Sequence, residues 1–258
     1  MARKSLMDRW QIYAVALLLA TAVIGAMYGV LSATVLGKDD VFSQGTRKPL
    51  SEDDVVVVKV GDQPILLSEF TERLKSEENN QLYVQRQINL DTDFSKYLNA
   101  RQETTASFGA ANAALGGLIV ESALFQRAVR LGYAGTSSEV ADASAGARGA
   151  VEQGIVSPRY LDFVATIGED RFWDEIFPVA VYRTISIEKM RGDLASGEFD
   201  LEWDLAQPAW LNIQEQALAE TDVVLIDPEK VHPATVGGAV GFLEAVRAVT
   251  SSFYSPDS

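Results

Sequence analysis

The chain has 258 residues, with 22 Lys and Arg against 36 Asp and Glu, for a formal net charge of −14. Phosphate and anionic-lipid partners require a concentrated positive field, so this balance makes the chain a poor partner for either, and no nucleic acid is expected. With no cysteine and one histidine, His232, the chain has no disulfide, no thiolate nucleophile and too few ligands for a zinc site.

Residues 10–36 are apolar almost throughout, with no charge between Ile12 and Leu36. At about 1.5 Å of rise per residue, such a helix covers the roughly 30 Å hydrocarbon layer with some tilt, and the sequence predicts a transmembrane anchor. Arg3, Lys4 and Arg9, opposed only by Asp8, precede it, and Lys38, Asp39 and Asp40 follow. The positive-inside bias then makes residues 1–9 a cytoplasmic tail and sends everything after the anchor outward. Trp10 and Tyr13 sit where interfacial aromatic anchors belong. A cleaved signal peptide is the rival reading, but a cut at Ala20-Thr21-Ala22 would leave a strongly apolar tail, and length favours retention. Gly25 and Gly29, extended by Ala22 and Ala26, form a small face that lets a second membrane helix approach closely. The expected location is therefore a bacterial cytoplasmic membrane, crossed once. The absence of any Asn-x-Ser/Thr acceptor fits a bacterial exterior.

Residues 37–54 are charged, polar and aperiodic, and read as a linker. At Val55 the character changes. The run Val55-Val56-Val57-Val58-Lys59-Val60 meets Gly61-Asp62 and then Gln63-Pro64-Ile65-Leu66-Leu67, which predicts a β-hairpin with Gly61 in the turn and Pro64 on an edge strand. Ser68 is expected to cap a helix that carries Glu69 and Glu72 in its first turn and Phe70, Leu74 and Leu82 on its apolar positions.

The stretch Val55 to Leu74, VVVVKVGDQPILLSEFTERL, resembles the opening of the SurA-like N-terminal domain, the chaperone module of SurA, PrsA and PpiD-type extracytoplasmic folding factors. That family follows a valine-rich strand with a tight turn, a short strand and a Ser-Glu helix start. The next segments extend the likeness. Asn112 to Gly132 is a long apolar helix stopped at Leu131-Gly132, and Thr136-Ser137-Ser138-Glu139 is a capping box opening a helix to about Gln153. Ser157-Pro158 starts a helix ending at Gly168, and another runs from about Glu169 to Leu194, bent at Pro178. A helix from Trp210 to about Glu220 leads to Val223-Val224-Leu225-Ile226, a strand placed to pair with the hairpin, as the family's chain end returns to its start. The resemblance implies a mainly α fold: a SurA-N-like domain over residues 55–230 with a small antiparallel sheet. Residues 231–258 form a C-terminal helix and tail, with Phe242, Leu243, Val246, Val249 and Phe253 mostly on one face, to cover the core or meet a partner.

Many family members also carry a parvulin-type prolyl isomerase domain of roughly a hundred residues. The segment Gly192 to Pro208, the one insertion point, is far too short for it, and where such sites use histidines and usually a cysteine or aspartate, this chain has His232 alone and no cysteine. No enzyme activity is expected. His232 lies in a loop without a nucleophile elbow, and the pairs Glu169/Asp170 and Asp174/Glu175 are what a helix start attracts. Gly237-Gly238 with Gly241 lacks the strand that precedes a phosphate loop, and the acids of residues 192–208 lack calcium-loop spacing.

Two functions lead, with an enzyme of unrecognised site as a third reading for which the sequence nominates no residue. One is a membrane-anchored chaperone-like protein holding unfolded or newly secreted polypeptide in an apolar cleft lined by Phe94, Tyr97, Leu98, Phe163, Phe172, Trp173 and Trp210, with core packing as the plainer role for each. The other is a non-catalytic accessory subunit of a larger membrane complex. Neither needs a cofactor or metal.

Overall fold

The computed structural model describes residues 45–46, 49, 52–87, 93–156, 160–161, 164–165, 168–195 and 208–254. The anchor expected at 10–36, its Gly25 and Gly29, the Ser157-Pro158 start and residues 196–207 lie outside the described residues. Among the described residues, no single helix is long and apolar enough to cross a membrane.

The hairpin forms where the turn chemistry places it. Strands β1 (Val56–Val60) and β2 (Gln63–Leu66) are antiparallel, with Val60 opposite Gln63, Lys59 opposite Pro64 and an irregularity between Val56 and Val58. Gly61 takes φ +53°, in the left-handed region that a side chain disfavours. Strand β3 (Val223–Leu225) pairs antiparallel with β1, Val224 opposite Lys59, giving the order β2-β1-β3. Pro64 thus sits on an edge, where its missing N–H interrupts no ladder.

Helix α1 (Leu67–Gln87) leaves β2 without a break. Ser68 lies inside its first turn, not before it, so the cap predicted for Ser68 belongs to another residue. Asp54 accepts from Ser68 N at 2.9 Å and from Ser68 Oγ at 2.8 Å, while Glu69 Oε2 accepts from Leu66 N at 2.9 Å. An acid from fourteen residues upstream satisfies the orphan amide, a partner that no local motif announces.

Helix α2 (Asp93–Phe108) has no counterpart in the sequence reading. The chain then turns through 105° at Gly109, φ +85°, into α3 (Ala110–Arg130). Helix α3 is the hub: small and apolar, it packs against α1, the sheet and all the later long helices except α4. Gly132 N bonds to Val129 O and Tyr133 N to Ala128 O, closing α3 with the glycine stop its sequence predicts.

Helix α4 (Ser137–Glu152) opens on the expected capping box: Glu139 N donates to Thr136 Oγ1 at 3.2 Å and Thr136 N to Glu139 Oε2 at 2.7 Å. Next, α5 (Glu169–Arg171), a π-helical stretch Phe172–Ile176 and α6 (Phe177–Leu194) run on continuously. Where the sequence predicts a bend at Pro178, the structure has this widened turn just before the proline. Phe177 N reaches back to Phe172 O, which relieves the clash a proline ring makes with the turn below.

Helix α7 (Pro208–Ala219) leads to β3, and a short α8 (Pro228–Val231) leads to α9 (Val236–Tyr254). A Cβ at Gly116 would stand 3.0 Å from Ala239 O, and one at Gly238 would overlap Asn112 Oδ1. Gly116 of α3 and Gly238 of α9 therefore serve the close crossing of these two helices. Ala239 and Phe242 are buried, so α9 covers the core formed with α2 and α3.

Apolar side chains collect in two clusters. The first joins the sheet to α1, α3, α7 and α9 through residues such as Val58, Ile65, Phe70, Leu115, Ile119 and Trp210. The second joins α4 to the π turn and the start of α6 through Ala147, Tyr160, Phe172, Trp173, Ile176 and Phe177. Helix α6 spans both, with Met190 in the first and Val181 in the second.

Candidate functional site

The aromatic residues predicted to line one cleft do not share a surface. Tyr97 (6% exposed), Phe172 (0%), Trp173 (8%) and Trp210 (6%) are core side chains, and Trp210 belongs to a different cluster from Phe172 and Trp173. Phe172 packs edge-on to Trp173 at 4.9 Å and to Tyr160 at 5.8 Å. Arg148 lies 5.2 Å over the Trp173 ring and Arg191 5.5 Å over Trp210, so guanidinium groups lie against these rings. The reason is area: large rings stabilise most when withdrawn from water, and helices that present them turn them inward. The side chains of Phe94 and Leu98, and all of Phe163, lie outside the described residues.

A different set of residues meets at the centre. Arg183, the lone charge in the run FPVAVYRTISI of α6, is 2% exposed and pairs with Glu69 of α1, itself 1% exposed, at 3.2 Å. Its Nη1 lies 3.6 Å from Glu121 of α3, and Arg73 Nη1 lies 3.9 Å from the other Glu121 oxygen. A Cβ at Gly117 would come within 2.6 Å of Arg73, so that glycine makes room for the guanidinium. Burial pushes the Glu121 carboxyl up, while Arg183 and Arg73 pull it down. Two arginines thus face two glutamates, tying α1, α3 and α6 together.

Arg183 Nε also donates to the backbone carbonyl of Gly45 at 2.6 Å. Thr46 Oγ1 donates to the buried Gln63 Oε1 at 3.1 Å. Two residues that the sequence places within the linker are therefore packed on the domain. Next to them Gln126 of α3 braces the hairpin turn, accepting from Asp62 N at 3.1 Å and donating to Val60 O at 2.6 Å.

At the surface the notable element is β3. It is the terminal strand of the sheet, and Val223 and Leu225 pack on the first cluster while Val224 (52%) and Ile226 (50%) face solvent. The acids singled out in sequence lie elsewhere, in surface pairs: Asp174 with Arg148 at 3.1 Å and Glu175 with Arg171 at 3.8 Å. His232 is exposed between α8 and α9. Among the described residues no group of three or more His, Asp or Glu is placed to hold a metal ion. Models of known protein families, curated proteins and solved structures give no match to this chain.

Proposed function

We propose that the chain is a membrane-anchored extracytoplasmic protein that holds extended stretches of unfolded or newly secreted polypeptide, without isomerase or other catalytic activity. The observation that carries this reading is β3, a terminal strand seated on the core by one face, with Val224 exposed on the other and Ile226 exposed just past its end. Strand addition to such an edge uses main-chain hydrogen bonds and tolerates many sequences, while alternate apolar residues supply contact area. With a chain charge of −14, neutral or basic extended segments are favoured over acidic ones. The three-residue length of β3 keeps the grip weak and exchangeable, and discourages permanent pairing between copies. The resemblance of Val55 to Leu74 to the SurA-like module and the apolar stretch at 10–36 support the same reading.

The test is suppression of aggregation of an unfolded client by the full chain in nanodiscs at near-equimolar ratio. The paired substitution Val224→Asp/Ile226→Asp should weaken it at least tenfold. Absence of suppression, or an unaffected variant, contradicts the proposal. A second reading is a non-catalytic accessory subunit of a membrane complex, supported by the small face that Gly25 and Gly29 give the apolar stretch at 10–36. Detergent extraction yielding a complex of fixed stoichiometry supports that alternative.

A further inference from the structure

We propose that Gly45 is a clamp on the tether, so that the chain leaves the domain for the bilayer at Gly45 rather than at Val55. This rests on the reading of residues 10–36 as an anchor. Three contacts carry it. Arg183 donates from Nε to the Gly45 carbonyl at 2.6 Å, and its guanidinium is already fixed by Glu69. A main-chain acceptor can be gripped anywhere along a chain, so this bond alone sets no register.

The Phe125 ring sets it. A Cβ at residue 45 would overlap that ring, which is fully buried and held edge-on against Tyr182 at 5.8 Å. Gly45 is the one glycine between Lys38 and Val60, so a single register fits. Thr46 then fastens the next residue to Gln63 of β2. The segment is thereby tied to α3, α6 and the sheet together.

The consequence is a shorter leash. Counted from Leu36, the reach to Gly45 is roughly 30 Å fully extended, against about 65 Å to Val55. A random coil of nine residues averages about 17 Å end to end and one of nineteen about 24 Å. A clamped domain stays beside the bilayer and receives chains as they emerge; a free one would sample a much larger volume.

Two insertions separate these cases. Ten Gly/Ser residues are placed between Asp40 and Val41, or between Leu50 and Ser51, in the full chain held in nanodiscs. The chain has no cysteine, so Lys75→Cys gives a single fluorophore site whose distance to labelled lipid headgroups is read by energy transfer. The clamp predicts that the first insertion lengthens this distance by about 7 Å and the second leaves it unchanged. Equal lengthening by both overturns it.

A second readout is independent of the bilayer: trypsin cleavage of the Arg47–Lys48 bond in detergent. Gly45→Leu should raise the cleavage rate at least tenfold with the helical circular dichroism unchanged; equal rates overturn the clamp. A chain that fails to enter nanodiscs refutes the anchor instead, and the trypsin result still decides the clamp.

Discussion

Replacing Arg183 with Met tests whether the buried charge centre holds the domain together. Methionine matches much of the side chain's volume, so the loss is chiefly electrostatic. The change takes the guanidinium at 3.2 Å from Glu69, 1% exposed, whose second oxygen is already committed to Leu66 N. It also strands the Gly45 carbonyl and takes one of two arginines from Glu121. Removing one partner of a buried ion pair destabilises by about 3–5 kcal/mol. For a domain of this size each kcal/mol lowers Tm by roughly 2–4 °C, giving a fall of about 6–20 °C. The assay is thermal unfolding of the full chain in mild detergent, followed by circular dichroism. The double variant Arg183→Met/Glu69→Gln removes both charges of the pair and should recover about 1–3 kcal/mol relative to the sum of the single effects. A shift below about 2 °C for Arg183→Met, or strict additivity, would refute this reasoning.

Thr136→Ala removes the capping box of α4 and should lower stability by about 1 kcal/mol, measured by the same melt. Gly61→Ala should be more harmful than Gly132→Ala: both force a side chain to positive φ, but only at Gly61 would the Cβ approach Gln126 Oε1, at 2.5 Å, and disturb the turn brace. Equal Tm shifts would show that the Gln126 contact is unimportant. For pH, Glu121 holds its proton more tightly folded than unfolded, so its contribution falls as pH rises from its ordinary value of 4.5 through its folded value. Glu121→Gln should flatten that decline in a series of melts. Glu139 behaves oppositely, because hydrogen bonds from Lys189 and Thr136 lower its value; its stabilisation is present above 4.5 and fades as pH falls through the folded value, a dependence that Glu139→Gln should remove.

What the sequence reveals of this fold is what lies within a turn or two of chain. Gly61 between two valine-rich runs, the Thr136 to Glu139 spacing and the Gly132 stop each encode their structure in adjacent residues. Helix α2 was hidden because DFSKYLNARQETTASF is polar and weakly periodic, and its burial against α9 depends on a segment far downstream. Asp54 as the cap of α1 escaped for the same reason. The Arg183 bond to Gly45 joins residues 138 apart. One signal did point to it: a single arginine in an otherwise apolar helical run needs a buried partner. The aromatic residues misled because size and periodicity say that a ring is buried without saying whether in a core or under a ligand.

The most direct measurement of the central claim places a photo-crosslinking residue at position 224 of the full chain in its native membrane. Pulse-labelled, newly secreted polypeptides of many sizes should be captured there and not from position 75 on the exposed side of α1. Capture of one protein of fixed size in constant ratio, or no capture specific to position 224, would contradict a polypeptide grip at the β3 edge.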